Sequence, residues 1–242
     1  MDYRRDKKGR DGIVFQPSTS PVLTGTLELH RTHGMEAIAR RLLGLPNGLH
    51  FRKLMCTWCL EGDLRWMMAL LVGCSDTLEC VDISDSLIGT FLGFCAGTSH
   101  SLEPPFTPEN PQTASIDFSE ATKLREVVFR PKLLHIAWVI MAVQTITPKH
   151  KDLQRISIKF PHLRRPIATG VNVRQLIRKE TYWQWMDLDR LLVQLWESRI
   201  VRPKIVYSAA KGKEEMVCEW IRDLLPEITE RGIIDLVERC TP

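Results

Sequence analysis

An α/β solenoid is the fold this sequence predicts, with a curved parallel sheet on its concave side and helices on its convex side. Three observations predict it. Pairs of apolar residues two positions apart recur along the chain, most of their spacings lie near 27 residues, and the stretches between them carry helical periodicity.

The strand-like pairs come first. They are Leu27/Leu29, Leu54/Cys56, Val81/Ile83, Val127/Phe129, Ile156/Ile158 and Ile205/Tyr207, with first positions separated by 27, 27, 46, 29 and 49 residues. In three copies a leucine stands three positions ahead: Leu78, Leu124 and Leu153. Leu78-Glu-Cys-Val81-Asp-Ile83 is the form L-x-x-L-x-L, the core of a leucine-rich repeat.

Helices are expected between them. Met35, Ile38 and Leu42 share one helical face. Leu64, Met67, Met68, Leu71 and Val72 follow Asp63, which is placed as an N-cap. Leu134–Ile146 is apolar nearly all round, so it should be the most buried helix. Leu188, Leu191, Leu192, Leu195 and Trp196 follow Asp187, the expected cap of that helix, with Asp189 as a first-turn charge. Val217, Trp220, Ile221, Leu224 and Leu225 make the last stripe before Pro226.

Period-2 segments alternating with period-3.6 segments imply parallel strands joined by right-handed crossovers. One such unit leaves its apolar face bare, and stacking covers it. Residues 1–20 read as a flexible N-terminal arm and residues 21–239 as the repeat domain. Loop insertions near 97–115 (Pro104, Pro105, Pro108, Pro111) and 159–187 account for the two long steps.

With 44% hydrophobic residues the chain can build a sizeable core. A net charge of +4 from 33 Lys and Arg against 29 Asp and Glu is too small for a dedicated nucleic-acid binder. The first eight residues lack a leader's apolar centre, and the apolar runs Trp66–Cys74 and Ile136–Val143 are about half a membrane span. Seven cysteines at uneven spacing do not form a disulfide framework. A cytoplasmic or nuclear protein with reduced thiols and no membrane partner is expected.

The stretches Leu23–Leu27, Gly44–Leu54, Asp63–Trp66, Gly73–Cys80, Ser119–Leu124, Thr145–His150 and Asp187–Trp196 resemble a group of fungal (basidiomycete-type) F-box-like leucine-rich-repeat proteins, over most of residues 21–239. The resemblance implies a substrate-recognition part of a Cullin-RING ubiquitin ligase, in which an F-box docks to the adaptor and the concave face holds the substrate. No F-box-like segment is recognisable among the roughly 20 polar residues before the first repeat, so the adaptor contact is expected only where an F-box lies upstream. The alternatives are a remnant structural repeat protein without a ligase role and, less favoured, an enzyme of unrecognised type.

Side chains alternate along a strand, so residues beside the apolar pairs should line the concave face. Acidic residues occupy only the first, third and fourth of the columns so defined. Arg130, Arg155, Lys159 and Lys204 make that face basic toward the C-terminus, and Arg155–Lys179 holds seven Lys or Arg and no acid. A solvated face is the first reading, an acidic protein partner the second, and a phosphate group or nucleic acid the last, since aromatic residues for base stacking are nearly lacking. Those four cations are the expected partner-binding residues.

No residue is expected to be catalytic, cofactor-binding or metal-ligating. In Cys56-Thr57-Trp58-Cys59, Cys56 fills an apolar strand position and Cys59 falls in the following loop, without two further ligands at zinc spacing. His30 and His33 read as loop histidines. Trp183 and Trp185 read as anchors of the second insertion, and Trp196 as part of the core stripe.

Overall fold

The computed structural model describes residues 22–30, 35–59, 64–85, 116–131, 136–160, 182–198, 201–207, 212, 214–233 and 235–238. The arm at 1–20, the loop at 97–115, Asp63 and His33 lie outside them, as does the second insertion apart from residues 159–160 and 182–187.

Seven strands form one sheet, all parallel and in chain order: β1 (Thr24–His30), β2 (His50–Cys59), β3 (Cys80–Asp85), β4 (Glu126–Arg130), β5 (Arg155–Phe160), β6 (Arg202–Tyr207) and β7 (Asp235–Glu238). Among the described residues six helices lie between them: α1 (Met35–Leu43), α2 (Leu64–Gly73), α3 (Ala137–Gln144), α4 (Tyr182–Glu197), α5 (Glu214–Leu224) and α6 (Pro226–Glu230). The chain is an α/β protein built on an all-parallel sheet.

The register places the apolar pairs level. Leu27, Leu54, Val81, Val127 and Ile156 face one another across successive strands, and Leu29, Cys56, Ile83, Phe129 and Ile158 form the next row. Except for half-buried Leu27 at the edge, every one is buried, in the same cluster as the inward residues of the helices. Burying a Leu or Ile side chain contributes about 1.5–3 kcal/mol, so two closed rows dominate the cohesion of the sheet. The leading leucines 78, 124 and 153 are buried too. Phe51 and Ile233 take that place before Leu54 and Leu236, although neither is a leucine.

Two features of the sheet depart from expectation. Pro203, not Ile205, stands opposite Ile156, so Ile205 faces Ile158 and Tyr207 faces Phe160. A slip of two residues keeps every side chain on its face, and Pro203, Ile205 and Tyr207 are all buried. Moreover, β7 pairs with β6 through Leu236 opposite Ile205. Its apolar pair is broken, because Glu238 stands where a second apolar residue is the rule, and the repeat pattern does not detect it.

The helices bury narrower or rotated stripes. Met35 and Ala39 are buried in α1, while Ile38 is exposed. In α2 Met67, Leu70 and Leu71 face inward, and Val72 is 53% exposed. α3 buries five of its eight residues, in keeping with its all-round apolar sequence. α4 begins at Tyr182, five residues before the expected cap Asp187. Trp185 is therefore a buried helical residue, Trp183 is 77% exposed, and Trp196 points outward. α5 buries Val217, Ile221 and Leu224 as its periodicity requires.

Polar groups fasten the connections. Buried His150 binds the carbonyl of Phe118 through Nε2 at 2.9 Å, and the Thr147 amide donates to its Nδ1 at 3.0 Å. The Thr145 hydroxyl donates to the Ala142 carbonyl and accepts from the Phe118 amide. These bonds tie the turn after α3 to the segment leading into β4, and Phe118 itself is wholly buried. On α4, Asp189 is fully buried and accepts from the amides of Glu227 and Ile228, at 2.8 and 3.1 Å. It caps α6 from a neighbouring helix and is not a first-turn charge of its own. Burial raises its pKa above the usual carboxylate range, aided by the charges of Glu227 and Glu230 and opposed by the two amides.

Candidate functional site

Every apolar residue on the core face leaves its strand neighbours on the opposite face, away from the helices. The parallel register sets these neighbours in rows. One runs Thr26, Lys53, Cys80, Glu126, Arg155, Arg202, and the next runs Glu28, Met55, Asp82, Val128, Ser157, Lys204, Asp235. A third begins His30, Thr57, Ser84, Arg130 and continues through Lys159, Val206 and Val237. Val128 is buried yet stands apart from the core cluster, and Asp82 and Ser157 beside it are buried as well.

The four expected cations lie on this face, in a different arrangement from the one expected. Arg130 reaches across to β3, where its Nε and Nη2 donate to the two carboxylate oxygens of Asp82 at 2.7 Å each. That hydrogen bond, with the charge behind it, lifts the Arg130 pKa above its ordinary value against the cost of burial. Arg155 lies 3.7 Å from Glu126. Lys204 is level with Ser157 and not with Arg155, and Asp235 of β7 stands next to it. Lys159 shares the Arg130 end of the strands. Two of these cations, Arg130 and Arg155, are thus paired with an acid of the neighbouring strand, and Lys204 stands level with a third acid.

A ladder of charges precedes these rows. Glu79 lies between Arg52 at 4.0 Å and Arg125 at 3.8 Å, and the backbone carries the same order, with Glu79 N–H bonded to the Arg52 carbonyl and Arg125 N–H to that of Glu79. These partners are half-buried or exposed, so each pair contributes little alone and serves to oppose slippage.

No protein-family model, curated protein or solved structure matches this chain.

At the β1 edge, His30 is the last residue of its strand and bonds Thr57 Oγ1 through Nδ1 and Glu28 through Nε2 at 3.2 Å. The order hydroxyl, imidazole, carboxylate is that of an activated nucleophile. His30 and Glu28 are both more than half exposed, so water competes for each contact and the chain of bonds orders the edge without enclosing a reaction. Cys56 is buried on the core face, and β2 extends as far as Cys59, which is in the strand and not the loop. Cys80, half-buried on the open face, has its thiol pKa raised, first by burial and then by the Glu126 carboxylate. Among the described residues no group of three or more His, Cys, Asp and Glu is placed to hold a metal ion, and no helix is long and apolar enough to cross a membrane.

Sequence reasoning could place each cation on its face but not its partner. The Asp82–Arg130 pair joins positions 48 apart, and only the register brings them together. The acid beside Lys204 was missed with β7 itself.

Proposed function

We propose that this chain is a leucine-rich-repeat solenoid of the F-box-associated kind, a non-catalytic module that binds a protein on its open sheet face. The observation that carries the reading is the seven-strand register, in which one face is closed by helices and the other presents three rows of charged, polar and small side chains. Paired charges held at fixed spacing favour a partner carrying charges of both signs over a purely acidic one, since each exposed pair must find its complement. The family resemblance adds the ligase role, as substrate receptor of a Cullin-RING enzyme in a cytoplasmic or nuclear setting.

Affinity capture with tagged protein tests it. Arg155→Glu with Lys204→Glu should abolish recovery of a specific protein, whereas Met141→Glu, exposed on the helical side, should leave it unchanged. Equal recovery by all variants would remove the open face from the function. Recovery of the Cullin adaptor only by a chain extended to an upstream F-box would support the ligase role.

A further inference from the structure

A second surface stands on the helical side, where α1 and α2 lie side by side. Glu36 of the first turn of α1 meets Arg65 of the first turn of α2 at 3.4 Å, and Leu43 at the end of α1 lies against Gly73 at the end of α2. A Cβ on Gly73 would come within 2.8 Å of the Leu43 side chain, so the two helix ends touch. Along this seam the chemistry changes. At one end Arg40 and Arg65 both lie over the indole of Trp66, 4.8 and 5.1 Å from the ring centre, and among the described residues share the carboxylate of Glu36. At the other end Leu43 and Val72 are exposed.

Two guanidiniums on one carboxylate leave an excess positive charge, and stacking on an indole holds them in place, which lowers the cost of ordering them on an anion. Arg41 adds a third exposed cation on α1. Glu36 and Leu43 are seven residues apart, or about 10 Å along a helix.

We propose that the α1–α2 seam is a docking surface for an acidic amphipathic helix of a partner protein. The partner's carboxylates engage Arg40 and Arg65, and an apolar residue about two turns along its helix covers Leu43 and Val72. The excess charge selects an acidic partner, and the apolar end selects one whose acidic and apolar residues are spaced along one face. This surface lies on the opposite side of the sheet from the face proposed above, so the two can be occupied together.

The probe is a fluorescein-labelled helical peptide with paired Glu residues and, seven positions on, paired Leu residues, titrated with the full chain and read by anisotropy. Arg40→Gln with Arg65→Gln should weaken binding about tenfold or more, as loss of charge-assisted bonds requires, and so should Val72→Glu. A charge-matched control, Arg222→Gln with Lys149→Gln, should leave it unchanged. Thermal melts of each variant are the check that the fold survives. Equal weakening by the control pair would overturn the proposal, as would equal binding of a peptide with the Leu residues replaced by Gln. Phosphatidylserine vesicles that bind the chain and displace the peptide would also overturn it, in favour of a membrane.

Discussion

Asp82 on β3 lies beneath Arg130 on β4, and two parallel 2.7 Å hydrogen bonds join them. The carboxylate is almost wholly enclosed and the guanidinium about a quarter exposed. Two charges thus leave water on the face opposite the core, a desolvation cost that only good geometry offsets. Replacing Arg130 by Ala leaves a buried carboxylate without a partner and should destabilise the fold by about 3 kcal/mol. The double variant Asp82→Leu, Arg130→Met should recover most of that loss. Urea unfolding of the three proteins measures both, and a double variant no more stable than the single one would deny the pair its role. Arg130→Glu should be worse than Ala, because it sets two carboxylates together.

Much of this architecture was legible in the sequence because it rests on side-chain period. Leu54, Val81, Val127 and Ile156 recur at readable intervals, and the sheet aligns them in the rows their spacing implies. What escaped was what period does not encode. Pro203 occupies an apolar place that a count of aliphatic residues passes over. Trp196 fits a helical stripe but lies at the end of α4, where the core no longer covers it. Asp187 looks like a cap only if the helix starts there, but the helix starts at Tyr182, and Trp185, two residues before Asp187, is buried within it. On the open face, residue types were readable but their pairing was not, since strand neighbours lie 27 to 48 residues apart.

His150 joins the turn after α3 to the segment leading into β4, with its Nδ1 accepting from the Thr147 amide. With the ring proton on Nε2 both bonds are made, and Nε2 donates to the Phe118 carbonyl. His150→Leu fits the space but strands the buried Phe118 carbonyl, at a cost of about 1–3 kcal/mol, and leaves the part-buried Thr147 amide to water. Denaturant unfolding should show a loss within that range, with His150→Gln milder because its amide can still donate. A Leu variant as stable as the parent would mean that the Phe118 carbonyl finds another partner.

Cys74 is buried in the core and donates its thiol hydrogen to the Leu70 carbonyl at 2.9 Å. Burial pushes its pKa up from 9.0 to about 11, partly opposed by the backbone bond. With a folded value above the unfolded one, the thiol contributes stability that is complete below pH 9.0 and lost as pH rises toward about 11. Only the thiolate reacts. In native protein near neutral pH, alkylation with iodoacetamide should therefore reach the half-buried Cys80 and Cys218 before Cys74. Cys74 should react only at the rate of unfolding, and mass spectrometry of the peptides checks the order.

Asp189 supplies the clearest dependence on acidity. Its carboxyl pKa is raised, chiefly by burial, despite the amides of Glu227 and Ile228 that bind it. A group raised in the folded state contributes stability that is complete below its unfolded value and is lost as pH rises through the folded one. For a carboxyl that window opens near pH about 3.9. The parent should therefore lose stability on going from pH about 4 toward neutrality relative to Asp189→Asn, in which this position does not titrate. The Asn amide keeps one acceptor of two, so one α6 amide loses its partner at a cost of about 1 kcal/mol, and the two stability curves converge as pH rises. Thermal melts of both proteins across this range provide the test, and parallel curves would show that Asp189 titrates as it does in the unfolded chain.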